Sequence, residues 1–130
     1  MSYLGLDVGT TLCRGLAVSE TGVALARIQR RYASRDASGG CQLDARAVWD
    51  TARRVIAQAA DLTRSDPISA LAISASGEAV LPLSLEGQPL APCILGADVR
   101  GAGYLERVRE ALGAERLYDL TGRLGGQASV

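Results

Sequence analysis

An apolar run ending in a carboxylate, a glycine–threonine turn and a second apolar run constrain this chain more than anything else in it. They are Leu4-Gly5-Leu6-Asp7-Val8, then Gly9-Thr10-Thr11, then Leu16-Ala17-Val18 just beyond Arg14. Two short apolar stretches joined by a turn form an antiparallel hairpin. The turn also carries chemistry. A glycine turn can aim successive backbone N–H groups at one anion, and threonine hydroxyls add donors. Asp7 beside such a cradle can hold a divalent cation through water, and Arg14 adds permanent positive charge. The set suits a nucleoside triphosphate with Mg2+. Taken alone, a motif this short is more often a hairpin with an exposed acid, and the rest of the chain has to decide.

What is missing narrows the chemistry. There is no histidine, which removes imidazole bases, Ser-His-Asp triads and His-metal sites, and no lysine, which removes a P-loop and Schiff-base chemistry. Cys13, Cys41 and Cys93 are odd in number and widely spaced, so they form no zinc pattern and read as buried, inert thiols of a reducing compartment. Fourteen arginines balance fourteen acids, leaving no basic field for nucleic acid or an anionic membrane. The local run Arg27, Arg30, Arg31 and Arg35, interleaved only by Tyr32, reads as a solvated strand edge. No apolar run is long enough to span a bilayer, and the N-terminus has no signal-peptide pattern, so the expected location is the cytoplasm.

Along the chain the pattern is α/β. Strands are expected over 3–8, 13–18 and 23–31, with a turn at Ser19–Gly22, and a polar loop over 33–41. Asp44 is placed to cap a helix whose apolar positions Ala45, Val48, Trp49, Ala52, Val55, Ile56 and Ala59 share one face. A buried strand over 69–74 is expected to run parallel to the first across this helix, and another strand over 79–85 turns at Glu86-Gly87. A second helix is expected over 99–112 with Tyr104, Leu105, Val108 and Leu112 inward, and a short third over 115–120, closed by Gly122. Trp49 and Tyr104 are expected in the core. Three antiparallel strands, a helix and a parallel strand open a ribonuclease H-like sheet, in which Asp7 and Ser74 end neighbouring strands at one cleft.

Five segments, in order, then carry a family resemblance. They are Leu6-Asp7-Val8-Gly9-Thr10-Thr11 with Arg14, Asp44 to Trp49, Ala70 to Glu78, Pro92 to Arg100, and Leu117-Tyr118-Asp119-Leu120-Thr121-Gly122. In these the chain resembles the N-terminal part of the FGGY carbohydrate kinases, a group that includes xylulokinase, ribulokinase, gluconate kinase and glycerol kinase. The resemblance implies an incomplete mixed sheet with flanking helices, of the ribonuclease H-like, actin-like ATPase type. Residues 1–122 would be the N-terminal portion of the first kinase domain, truncated, and 123–130 a loop or disordered tail.

The same resemblance implies an ATP-dependent sugar or polyol kinase using Mg2+. Gly9, Thr10, Thr11 and Arg14 would bind the ATP phosphates, Asp7 the metal, and Ser76, Gly77, Glu78 and Asp98 the substrate. Asp98 can alternatively cap the helix after it. The family's catalytic aspartate and its adenosine-binding motifs lie further on, so no catalytic residue is expected here, and the chain alone is expected to be inactive and to self-associate through uncovered apolar surface. Xylulokinases carry Gln-Met-His, and glycerol kinases Gln-Arg-Glu, where this chain has Ser76-Gly77-Glu78. Gly96 stands where a tryptophan is usual, which implies a different or larger polyhydroxylated substrate. The competing reading is a non-catalytic actin-like module that binds a sugar or a partner. A ROK-type kinase is a third, disfavoured by Asp98-x-Arg100 and by Leu117 to Gly122.

Overall fold

The structure, a computed structural model, describes residues 1–32, 34–37 and 40–122, with the backbone alone for 34–37 and 40. The expected tail at 123–130 lies outside the described residues. The chain divides into two compact units: Met1–Ser34 with Leu43–Gly77, and Arg35–Gln42 with the chain from Glu78 onward.

The first unit is built on a four-stranded sheet of order β3-β2-β1-β6, with β1 over Ser2–Val8, β2 over Leu12–Ser19, β3 over Ala24–Arg31 and β6 over Ile68–Ala75. β1 and β2 are antiparallel, with Leu6 opposite Gly15 and Asp7 opposite Arg14, and β2 pairs antiparallel with β3. β6 joins the other side of β1 in parallel, with Asp7 opposite Ser74. Along β1 and β2 buried and exposed positions alternate, so each strand turns one face of its apolar run inward. Gly22, at φ 83°, provides the left-handed residue of the turn between β2 and β3, where the Ser19 amide donates to the Val23 carbonyl at 2.9 Å.

Helix α1, Ala45–Leu62, comes before β6 and lies against one face of the sheet. Asp44 caps it as expected, its Oδ1 accepting from the amides of Arg46 at 2.9 Å and Ala47 at 3.2 Å. Ala52, Val55 and Ala59 are buried as α1 packs on β1, β2 and β3. Gly15 makes this approach possible, since a Cβ there would stand 2.7 Å from Val55 Cγ1 and 3.5 Å from Leu4 Cδ1. At the far end the buried Thr63 hydroxyl donates to the Ala59 carbonyl at 2.9 Å, and the Ser2 hydroxyl donates to the Asp66 carbonyl at 2.6 Å, which fixes where β6 starts beside β1.

Trp49 is not in the core. It is 65% exposed, because it sits at the margin of the helical face that the sheet covers. In register with Leu4 and Leu6, Leu71 and Ile73 of β6 lie on the α1 side of the sheet and yet are 45% and 64% exposed.

In the second unit, β4 (Ser34–Ala37) and β5 (Gly40–Leu43) form a four-stranded sheet with β8 (Cys93–Leu95) and β7 (Ala79–Val80), in the order β4-β5-β8-β7. This corrects the polar loop expected over 33–41 at its described residues, 33, 38 and 39 lying outside them. A Ser/Gly-rich stretch lacks strand propensity of its own and is recruited by a strand from far along the chain. The strand expected over 79–85 stops at Val80, since Pro82 has no N–H for a ladder, although the turn at Glu86-Gly87 forms and the Ser84 amide donates to the Gln88 carbonyl at 2.9 Å.

Helix α2 covers Ala102–Leu112 rather than starting at Val99, and α3 covers Ala114–Thr121. No α2 residue is buried: Tyr104 is 70% exposed, and Val108 and Leu112 are exposed as well. The helical period places these residues on one face, and no element of the described chain covers it. Cys13 is fully buried, while Cys41 and Cys93 are half-buried, and all three are free thiols.

Candidate functional site

Strand alternation sends Leu4 and Leu6 toward α1, and therefore Asp7 to the opposite face of the sheet. Register does the rest. Ser74, Asp7, Arg14 and Gln29 form one row across the four strands, and this row belongs to an open shelf that also includes Gly5 and Arg27. Arg14 Nη1 lies 3.1 Å from Asp7 Oδ2, with the two side chains 58% and 46% exposed. The two residues assigned to metal and to phosphate are thus ion partners of each other. An exposed pair of this kind is worth only about 0–1 kcal/mol, so it holds Arg14 only loosely.

At the end of β1 the turn is held from beneath. The Tyr32 hydroxyl donates to the Gly9 carbonyl and approaches the Leu12 carbonyl at 3.2 Å, while the Tyr32 amide donates to the Thr11 carbonyl at 3.2 Å. The Gly9 amide donates to the Leu12 carbonyl at 3.0 Å. These bonds engage the carbonyls and leave the amides of Thr10 and Thr11 without a protein acceptor among the described residues. Tyr32 is only 8% exposed, and its phenol is pushed up from its ordinary value by burial first and by Cys13 and Asp7 after it. It stays a neutral donor. Sequence reading counted Tyr32 only as an aromatic among arginines. The available signal was its place directly after the third strand, which the sheet returns to the turn.

Among the described residues no group of three or more His, Cys, Asp or Glu is arranged around a metal position. A single half-exposed carboxylate beside open amides fits Mg2+, which keeps most of its water and shares its load with phosphates instead of demanding a protein cage.

Of the four substrate candidates, Ser76 and Gly77 belong to the first unit and Glu78 and Asp98 to the second. The Ser76 amide donates to the Val8 carbonyl at 3.1 Å, so the chain after β6 leaves beside the end of β1. A Cβ on Gly77 would meet nothing within 4 Å. Glu78 has φ 60°, the one non-glycine residue with positive φ among those described. Asp98 is buried at 1% exposure and accepts from Arg100 Nε at 2.9 and 3.0 Å and from the Arg100 amide at 3.0 Å. It does not cap α2, whose N-cap is Gly101 with no side-chain bond.

The Arg100 guanidinium holds the Asp98 carboxyl down from 3.8 to about 2, against the opposing effect of burial. Because the folded value is the lower one, the stability that Asp98 contributes is complete above pH 3.8 and is lost as the pH falls toward 2. Acid unfolding followed by circular dichroism is expected to flatten over that window in Asp98→Asn. An unchanged acid limb would contradict the pairing.

The sheet, with α1 crossing between its outer strands, is of the ribonuclease H-like, actin-like ATPase class. The profile of the "FGGY family of carbohydrate kinases, N-terminal domain" matches residues 2–126. Gluconokinase of Bacillus subtilis (strain 168) is 29% identical over 124 residues, and xylulose kinase of Staphylococcus xylosus 23% over 123. The crystal structure of xylulose kinase from Rhodospirillum rubrum superposes with a TM-score of 0.85 at 26% identity, covering 91% of this chain and 25% of that one. This chain belongs to the FGGY family of carbohydrate kinases. It spans about a quarter of the length of the two curated relatives, 23% and 26% of each. No helix among the described residues is long and apolar enough to cross a membrane.

Proposed function

We propose that this chain is the phosphate-binding part of an ATP-dependent kinase that transfers a phosphoryl group to a hydroxyl of a sugar or polyol. The observation that carries this reading is the turn at Gly9–Thr11, with its carbonyls tied down by Tyr32 and the amides of Thr10 and Thr11 without acceptors among the described residues, next to Asp7 and Arg14. The Thr10 and Thr11 amides and hydroxyls would cradle the β- and γ-phosphates. Arg14 would leave Asp7 for a phosphate oxygen and make charge-assisted bonds to it. Asp7, released, would hold water on Mg2+. Mg2+ held there would supply the neutralisation of phosphate charge that phosphoryl transfer requires. Glu78 would accept hydroxyl donors of the sugar, with Ser76 and Gly77 forming the rest of that loop. Asp98, its oxygens taken up by Arg100, would hold the segment between β8 and α2 in shape.

Because the chain spans about a quarter of the length of the relatives it matches, it is expected to bind without turnover. The exposed Leu71 and Ile73 support its self-association. The test is a titration of the isotope-labelled chain with magnesium ATP. Resonances of Gly9, Thr10, Thr11 and Arg14 are expected to move and those of α1 to stay. A turn that ignores magnesium ATP at millimolar concentration would refute the phosphate assignment, and sugar phosphorylation by the pure chain would refute its incompleteness as a catalyst.

A further inference from the structure

Tyr32 follows directly on β3, whose last residue, Arg31, stands opposite Leu12 at the start of β2. The return of β3 therefore brings a buried ring to the turn that follows β1. The Tyr32 hydroxyl donates to the Gly9 carbonyl and lies 3.2 Å from the Leu12 carbonyl. The Gly9 amide donates to that same Leu12 carbonyl at 3.0 Å, so one hydroxyl ties the two ends of the turn together. The Thr11 carbonyl is held differently, by the Tyr32 amide at 3.2 Å, a bond that any residue but proline could make. The hold on Gly9 needs the phenol.

The Gly9 carbonyl shares a peptide plane with the Thr10 amide. A trans peptide is planar, with its C=O and N–H pointing to opposite sides, and no peptide bond among the described residues is cis. Holding the carbonyl on the buried phenol thus turns the Thr10 N–H outward. Thr10 is exposed there, and its amide has no acceptor among the described residues. A glycine before this plane lets it rotate at little steric cost, so its orientation depends on an external tie. Burial pushes the phenol up from its ordinary value, which keeps the hydroxyl protonated and donating at neutral pH.

We propose that Tyr32 is a positioning residue of the phosphate site: its hydroxyl fixes the Gly9–Thr10 peptide plane so that the Thr10 amide is aimed at a phosphate oxygen before the nucleotide arrives. The proposal rests on the kinase reading, since it assumes a phosphate at this turn. Tyr32 itself touches no ligand. A donor already oriented loses no further freedom on binding, and that saving appears as affinity.

The experiment compares the whole 130-residue chain with two variants, each isotope-labelled, titrated with magnesium ATP and unfolded in urea. Tyr32→Phe keeps the ring and removes only the hydroxyl. Ile28→Val removes one buried carbon from β3 and leaves Tyr32 in place. Tyr32→Phe is expected to move the Thr10 amide resonance without ligand, and to weaken magnesium ATP by about three- to tenfold, the size of one hydrogen bond. Ile28→Val is expected to lower the urea midpoint and to bind magnesium ATP like the wild type, which separates positioning from stability. In the wild-type chain the Tyr32 hydroxyl proton, buried and bonded, is expected to exchange slowly enough to be observed, a reading that needs no variant. If Tyr32→Phe binds as tightly as the wild type, if Ile28→Val weakens binding as much, or if the hydroxyl proton exchanges at once, the positioning role is overturned while the phosphate assignment stands. If the wild-type turn itself ignores magnesium ATP at millimolar concentration, the phosphate assignment falls, and the role of Tyr32 with it.

Discussion

In an active kinase carrying this chain as its N-terminal part, Asp7→Ala is expected to lower kcat by about a hundred- to a thousand-fold while leaving the KM for the sugar nearly unchanged. The size is that of losing one charge-stabilising group from a preorganised site, roughly 2.7–4 kcal/mol. The direction follows from where Asp7 stands. It lies near the end of β1 on the face away from α1, beside the turn and opposite Arg14, and it has no part in the buried layer. Its exposed ion pair with Arg14 contributes little to folding. The mutant should therefore unfold at nearly the wild-type urea midpoint, and its defect should concern magnesium ATP alone. If Asp7 merely ends a hairpin, the opposite pattern holds: a small change in stability and wild-type turnover at ordinary Mg2+. Steady-state kinetics at varied Mg2+, with denaturation of the same preparations, separates the two.

Leu4→Ala is expected to be the most damaging change for the fold. Leu4 is 1% exposed and packs where α1 meets the sheet, with its Cδ1 3.5 Å from the position a Gly15 Cβ would take. Removing a buried leucine side chain costs about 2–5 kcal/mol, against a total of about 5–15 kcal/mol for an ordinary domain. The urea midpoint should fall by about 1 M or more. Gly15→Ala is expected to cost about 1–3 kcal/mol for the opposite reason, too much volume against Val55 Cγ1. Because Leu4 and Val55 border the same space, the double variant should be less destabilised than the sum of the two. Strict additivity in denaturation curves would show that the two sites are not packed together.

Some of this protein was legible from its residues alone. β1, β2, β3 and β6 were, because alternation and short apolar runs are local signals. So was α1, because Asp44 and the spacing of Ala52, Val55 and Ala59 are local too. The order of motifs along the chain was enough for the family, since it needs no geometry.

Tertiary structure alone decided the rest. Periodicity says which residues share a face, but not whether another element comes to cover it, and so Trp49 and Tyr104 were assigned to a core in which they do not lie. A Ser/Gly-rich stretch has little preference of its own, and Gly40–Leu43 becomes a strand only because Cys93–Leu95 lies beside it. Register across β1 and β2 turned two separately assigned ligands, Asp7 and Arg14, into one ion pair. The return of β3 put the Tyr32 hydroxyl under the turn at Gly9, 23 residues earlier in the chain. Each of these depends on contacts between residues distant along the chain. The free energy of such contacts comes from burial and pairing that no local stretch of sequence contains.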